Sequence, residues 1–194
     1  MFIQTETTPN PDVLKFLPGR DVLGAGAGAR EFADADAAEN SPLAEAIFEV
    51  EGVVRVFFGT DFLTVTRETH GLEWPQMKAP ILAAIMEHYT SGAPILREAA
   101  GAAGEGHDDA VYEGETAQIV AEIKDLLDTR IRPAVAQDGG DITFSRFEAD
   151  TGVVFLHMRG ACSGCPSSSA TLRSGVENML KHYVPEVTRV EQTL

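Results

Sequence analysis

Residues 138–166 read DGGDITFSRFEADTGVVFLHMRGACSGCP. Asp138-Gly139-Gly140-Asp141 is a turn signal, Ile142–Phe147 is a β-rich run, Asp150-Thr151-Gly152 turns the chain back, and Val153–Met158 is a second run. A hairpin is predicted, and the chain leaves it directly into Gly160-Ala161-Cys162-Ser163-Gly164-Cys165. Pro166 suits the first position of a helix. That helix is expected to run to about Tyr183 with Leu172, Val176, Met179, Leu180 and Tyr183 inward. Upstream, Ile119, Val120, Ile123, Leu126, Leu127 and Ile131 share one face of a helix from Thr116 to about Arg132, with Pro133 near its end. Val187–Gln192 supplies a final strand, so this part of the chain reads α-β-β-α-β.

Working outward to the N-terminal side, the pattern is different. Phe2–Glu6 and Val13–Leu17 read as strands around the turn Thr8-Pro9-Asn10-Pro11-Asp12, and residues 21–40, rich in Gly, Ala and Asp, read as a long loop. Ser41 is an N-cap residue before Pro42, and Leu43, Ile47 and Phe48 give the short helix its apolar face before Gly52 stops it. Val53–Phe58 and Phe62–Arg67 form a hairpin around Gly59-Thr60-Asp61. A second helix follows from about Pro75 to Tyr89, with Met77, Ile81, Leu82, Ile85 and Tyr89 on its inner face and Pro80 expected to kink it or delay its start. Trp74 is expected to pack onto the sheet. Between the two patterns, Gly, Ala and acidic residues dominate from 91 to 115, the composition of a flexible, self-repelling linker on which Ile95 and Leu96 dock locally. The predicted class is α+β: two small two-layer α/β domains, residues 1–90 (β-β-α-β-β-α) and 116–194 (α-β-β-α-β), joined by a linker at 91–115.

Composition bounds the function. Of 194 residues, 44% are hydrophobic and 23% charged, which predicts packed cores. The net charge is −15, and nonspecific nucleic-acid binding needs the opposite sign. The acidity is uneven: residues 1–90 carry 6 Lys and Arg against 14 Asp and Glu, residues 91–115 carry 1 against 6, and residues 116–194 carry 8 against 10. Solubility and mutual repulsion account for it. The sequence has no apolar run long enough to span a bilayer and no basic or Arg-rich leader, so it reads as a cytosolic protein without a membrane partner.

Cys162 and Cys165 are the only cysteines. A single pair so close in sequence makes no disulfide scaffold, and it is half the ligand set of a structural zinc or an iron–sulfur cluster. The other half must come from another molecule, and two copies of this chain would supply four thiolates. Gly160 and Gly164 allow backbone N–H groups to approach sulfur, and the start of the helix beyond Pro166 is expected to favour thiolate over thiol. Ser167 and Ser168 are explained by the helix start. Four thiolates around a dication core leave a net charge of about −2, which Arg159 and Arg173 are placed to offset. Two other readings of the pair stand beside this one. A thiol–disulfide redox pair also sits at a helix start, although Ser163-Gly164 lies between these cysteines and the proline follows them. A shared structural zinc takes the same four thiolates. His70, His88, His107 and His182 are dispersed, His157 lies on a strand, and no nucleophile–base or paired-carboxylate arrangement stands out, so no enzyme is expected.

These residues resemble a known family. Arg132-Pro133, Asp138-Gly139-Gly140-Asp141-Ile142, Gly160 through Ser168 and Thr171-Leu172 are similar to the C-terminal domain of NifU and Nfu-type scaffold proteins. Met1-Phe2-Ile3-Gln4-Thr5-Glu6, Thr8-Pro9-Asn10-Pro11, Leu14-Lys15-Phe16, Ser41-Pro42-Leu43-Ala44 and Val56-Phe57-Phe58-Gly59 with Asp61-Phe62 resemble the Nfu N-terminal domain. The resemblance implies a late-acting carrier in which Cys162 and Cys165 bind a [4Fe-4S] cluster between the subunits of a homodimer. It implies upstream cluster-assembly proteins as donors and apo iron–sulfur proteins as recipients, recognised with the help of the N-terminal domain. A bacterial cytoplasmic member is expected, with a mature mitochondrial-matrix form as the alternative.

Overall fold

The computed structural model describes residues 2–97, 112–163 and 166–193, without the side chains of residues 166–169. The chain divides into two compact units, residues 1–102 and 103–194. Among the described residues no helix is long and apolar enough to cross a membrane.

The first unit contains β1 (Gln4–Thr7), β2 (Val13–Leu17), β3 (Arg30–Phe32), α1 (Pro42–Phe48), β4 (Val53–Phe58), β5 (Leu63–Arg67) and α2 (Trp74–Ser91). Its strands form one antiparallel sheet in the order β1-β2-β5-β4-β3. Alternation at period two sends Leu14, Phe16, Val56, Phe58, Leu63 and Val65 to one face, where they meet Leu43 and Ile47 of α1 and Met77, Ile81 and Ile85 of α2. Residues 21–40 are not all loop: β3 pairs with β4, and Phe32 packs edge-on against Phe58 with ring centroids 5.1 Å apart. The observed order is therefore β-β-β-α-β-β-α.

Local chemistry explains the helix boundaries. Ser41 Oγ accepts from the backbone N–H of Ala44 at 3.2 Å and donates to the carbonyl of Ile95 at 2.6 Å, so one hydroxyl caps α1 and holds the segment after α2. The backbone N–H of Arg97 donates to Asn40 at 2.7 Å and its guanidinium pairs with Glu45 at 2.6 Å, which keeps residues 95–97 on the first unit. A capping box of Glu73 and Gln76 starts α2, and the helix continues through Pro80. The indole N–H of Trp74 donates to the carbonyl of Pro11 at 2.9 Å, while its ring packs on the margin of the core.

The second unit contains α3 (Gly114–Leu126), α4 (Arg132–Gln137), β6 (Gly140–Glu148), β7 (Val153–Gly160), α5 (Pro166–Tyr183) and β8 (Arg189–Thr193). Its sheet runs β6-β7-β8, antiparallel between β6 and β7 and parallel between β7 and β8, with α5 as the crossover. The first helical stretch does not end near Pro133. A π turn at Leu127–Ile131 carries it into α4, and the N–H of Arg132 bonds the carbonyl of Leu127. Pro133 lacks an N–H and its ring crowds the carbonyl four residues back. A widened turn just ahead of it absorbs that conflict. In α5, Val176 and Leu180 are buried as expected, but Met179 and Tyr183 face outward at 37% and 41% exposure. Arg130 stacks over the Tyr183 ring, 4.9 Å from its centroid, and donates to its hydroxyl. Tyr112 joins this unit: its hydroxyl accepts from the backbone N–H of Phe147 at 2.8 Å and its ring lies edge-on to Phe144.

Candidate functional site

The ends of β6 and β7 are joined side by side, with Gly140 opposite Gly160 in the register. Beyond Gly160 the chain turns at once. The N–H of Ser163 and its hydroxyl both donate to the carbonyl of Gly160, at 3.1 and 2.9 Å, and the N–H of Ala161 donates to the carbonyl of Gly139 at 3.1 Å. Gly160 adopts φ 66°, a conformation other residues take at a cost, as its place before the cysteines anticipates. These bonds set Cys162 against the start of β6. A Cβ on residue 140 would lie 2.4 Å from the Cys162 sulfur and 2.8 Å from the carbonyl oxygen of Arg159, so only glycine leaves room for the thiol. Asp138-Gly139-Gly140-Asp141 is thus more than a turn before a strand; it is the floor of the cysteine loop.

Cys162 is 6% exposed. Burial, followed by the negative charges of Asp138 and Asp141, pushes its thiol up to about 12. The helix start expected to favour thiolate adjoins Cys165, whereas Cys162 lies in the turn beyond β7 among apolar neighbours and carboxylates. As a thiol it is inert; as a ligand it must lose its proton. Cys165 and Gly164 lie outside the described residues, as do the side chains of Ser167 and Ser168.

Asp141, buried at 7% exposure, is held by Arg132 through bonds of 2.8 Å and 3.1 Å, and Arg132 also reaches Asp128 at 3.0 Å. Hydrogen bonding to Asp141, ahead of the opposing effect of burial, raises the guanidinium above its ordinary value and keeps it charged. Neither Gly140 nor the Arg132–Asp141 pair stands out from composition. The available signals are the two adjacent glycines and the place of Arg132, Gly140 and Asp141 in the motifs that carry the family resemblance.

The donor chemistry fits a soft metal centre: a cysteine sulfur at a strand end, on a loop shaped by backbone hydrogen bonds. Among the described residues no group of three or more His, Cys, Asp or Glu is placed to hold a metal ion. His157 Nδ1 lies 2.9 Å from the Thr193 hydroxyl, and His88 is buried in the first unit, where desolvation lowers its pKa.

Comparison with known proteins accounts for both units. Residues 3–92 match the family described as scaffold protein Nfu/NifU N terminal, and residues 123–191 match the NifU-like domain. NifU-like protein 5, mitochondrial, of Arabidopsis thaliana is 51% identical over 192 residues, spanning 99% of this chain and 68% of its own length. NifU-like protein 4, mitochondrial, of the same plant is 52% identical over 99% of this chain and 66% of its own. The NFU1 iron-sulfur cluster scaffold homolog, mitochondrial, of Drosophila erecta is 52% identical over 99% of this chain and 65% of its own. The chain thus spans about two thirds of these relatives' length. With both matched regions and identity along nearly the whole sequence, this chain belongs to the Nfu/NifU scaffold protein family.

Proposed function

We propose that the chain is an iron–sulfur cluster scaffold and carrier. Two copies each contribute Cys162 and Cys165, hold a [4Fe-4S] cluster between them, and pass it to recipient apoproteins. The observation that carries this reading is the Cys162 sulfur set against Gly140 at the end of β7, in a family whose Drosophila member is named an iron-sulfur cluster scaffold. The cluster is cargo, and the role is not catalytic. Loading requires the thiol protons to leave as iron replaces them. Unloading is ligand exchange, in which thiolates of the recipient replace those of the carrier without net oxidation or reduction.

The raised Cys162 thiol is not the activated thiolate that the thiol–disulfide reading needs, so that reading would have to rest on Cys165. The second unit is assigned the cluster, and the first, with the linker between them, the recognition of recipients. For the compartment, the relatives' names support the mitochondrial-matrix alternative and lend no support to the bacterial cytoplasm expected first.

Anaerobic reconstitution with ferrous iron and sulfide tests the reading. Iron and sulfide should each approach about two per chain, with a shift from monomer to dimer by light scattering. Zinc without acid-labile sulfide overturns the cluster assignment. A monomer carrying a complete cluster overturns the sharing.

A further inference from the structure

Asp138 and Asp141 flank Gly139 and Gly140, the glycine against which the Cys162 sulfur sits. Both are negative, as is the proposed cargo: four thiolates around a dication core leave a net charge of about −2. A buried carboxylate without a counter-charge repels such an anion strongly, because the protein interior screens poorly. Asp141 is buried, and it follows Gly140, against which the sulfur sits. Its charge is met by Arg132, whose Nε reaches Oδ1 at 2.8 Å and whose terminal nitrogen reaches Oδ2 at 3.1 Å. The bonds come from α4, the element leading directly into β6, so the counter-charge is built into the base of the site.

We infer that Arg132 is a positioning residue for the cluster: by pairing with Asp141 it cancels a negative charge beside Cys162 and thereby sets how long the anionic cluster is retained. The inference rests on the cluster reading of Cys162 and Cys165. It adds Arg132 to Arg159 and Arg173, the residues that the sequence places near the loop. Retention matters in a carrier because a cluster held too weakly is lost before delivery.

The test uses the full chain, reconstituted with ferrous iron and sulfide, as wild type, Arg132→Gln, Asp141→Asn and the double variant. Two quantities are read: decay of the cluster's visible absorption under excess ferrous chelator, and the unfolding midpoint of each apoprotein. Arg132→Gln should lose its cluster about tenfold faster than wild type, since it leaves a buried carboxylate uncompensated. Asp141→Asn, which removes the carboxylate and leaves the Arg132 charge on Asp128, should lose its cluster more slowly than wild type, and the double variant, with both charges gone, should stay within about twofold of it. Where Arg132→Gln fails to fold, Asp141→Asn decides: slower loss than wild type supports the inference, and loss as fast as wild type or faster overturns it. Arg132→Gln holding its cluster as wild type does overturns it. So does Asp141→Asn losing the cluster as fast as Arg132→Gln, which would make the pair a structural clasp. A wild type that takes up no iron and sulfide overturns the cluster reading itself, and the inference with it.

Discussion

Gly140 makes room for Cys162: the space a side chain would need at 140 is filled by the sulfur, 2.4 Å from where a Cβ would stand. The two residues are 22 positions apart in sequence, and the β6–β7 register joins them. Gly140→Ala should therefore destabilise the apoprotein by about 1–3 kcal/mol, the range for overpacking. Removing the sulfur as well, in Gly140→Ala with Cys162→Ala, should return part of that loss, the remainder belonging to the Arg159 carbonyl. Denaturant unfolding of the four proteins in this cycle measures the coupling. Strictly additive effects would mean that the sulfur is not what Gly140 accommodates.

The Cys162 thiol supplies a prediction with a definite sign. Folding raises it from the ordinary range near 9 to about 12, so over that interval the folded chain holds a proton that the unfolded chain has lost. The stability of the apoprotein should fall as pH rises from about 9 toward about 12, and Cys162→Ala should lack this component. The same burial slows chemistry at the sulfur. In Cys165→Ser, where Cys162 is the lone thiol, alkylation by iodoacetamide at pH 8 should run at least about tenfold slower than that of free cysteine and accelerate in denaturant. A rate equal to free cysteine in the folded protein would show an exposed, ionisable thiol and revive the redox reading.

Much of the fold is legible in the sequence because local signals agree with their tertiary surroundings. Ser41-Pro42 marks the start of α1, Gly59-Thr60-Asp61 lies between β4 and β5, and β6 and β7 lie on either side of Asp150-Thr151-Gly152, with β7 alternating buried and half-buried. What escapes is set by partners distant in the chain. The three-residue strand β3 has one buried side chain, Phe32, and owes its form to pairing with β4. Periodicity assigns Met179 and Tyr183 to the inner face of α5, yet both are exposed, and Arg130 meets Tyr183 at the surface. Pro133 looks like a terminator because a π turn leaves no signature in composition. At the site, the cysteine motif is plain in the sequence, whereas its floor at Gly140 exists only once the β6–β7 hairpin is closed, and the Arg132–Asp141 pair only once α4 packs on the start of β6.

Ser41 connects two parts of the first unit through one hydroxyl, accepting from Ala44 and donating to Ile95. It is fully buried. Ser41→Ala removes the cap and leaves the Ile95 carbonyl without this donor, at an expected cost of about 1–2 kcal/mol to the first unit. The melting of the first unit, followed by Trp74 fluorescence, should shift downward. Cluster retention by the second unit should not change. An altered cluster lifetime in this variant would show that the first unit's stability is felt at the cysteine loop.

The division of labour is tested by cutting the chain. The second unit has its own core from Val120 to Val190, and Tyr112 belongs to it through Phe147 and Phe144. A fragment for this test should therefore begin no later than Tyr112. Fragment 112–194 is expected to take up a full cluster and dimerise, because it contains every proposed ligand. Its delivery should be the deficient step. The first unit holds more acidity, 14 Asp and Glu against 6 Lys and Arg in residues 1–90, and none of the proposed ligands. By holding recipients near the cluster it would raise their effective concentration, an advantage that matters most when recipients are dilute. Transfer to an aconitase-type apoenzyme should be slower from the fragment than from the full chain at low recipient concentration, and the difference should close at high concentration. Equal rates across dilute recipients of several kinds would leave the first unit without the recognition role proposed for it.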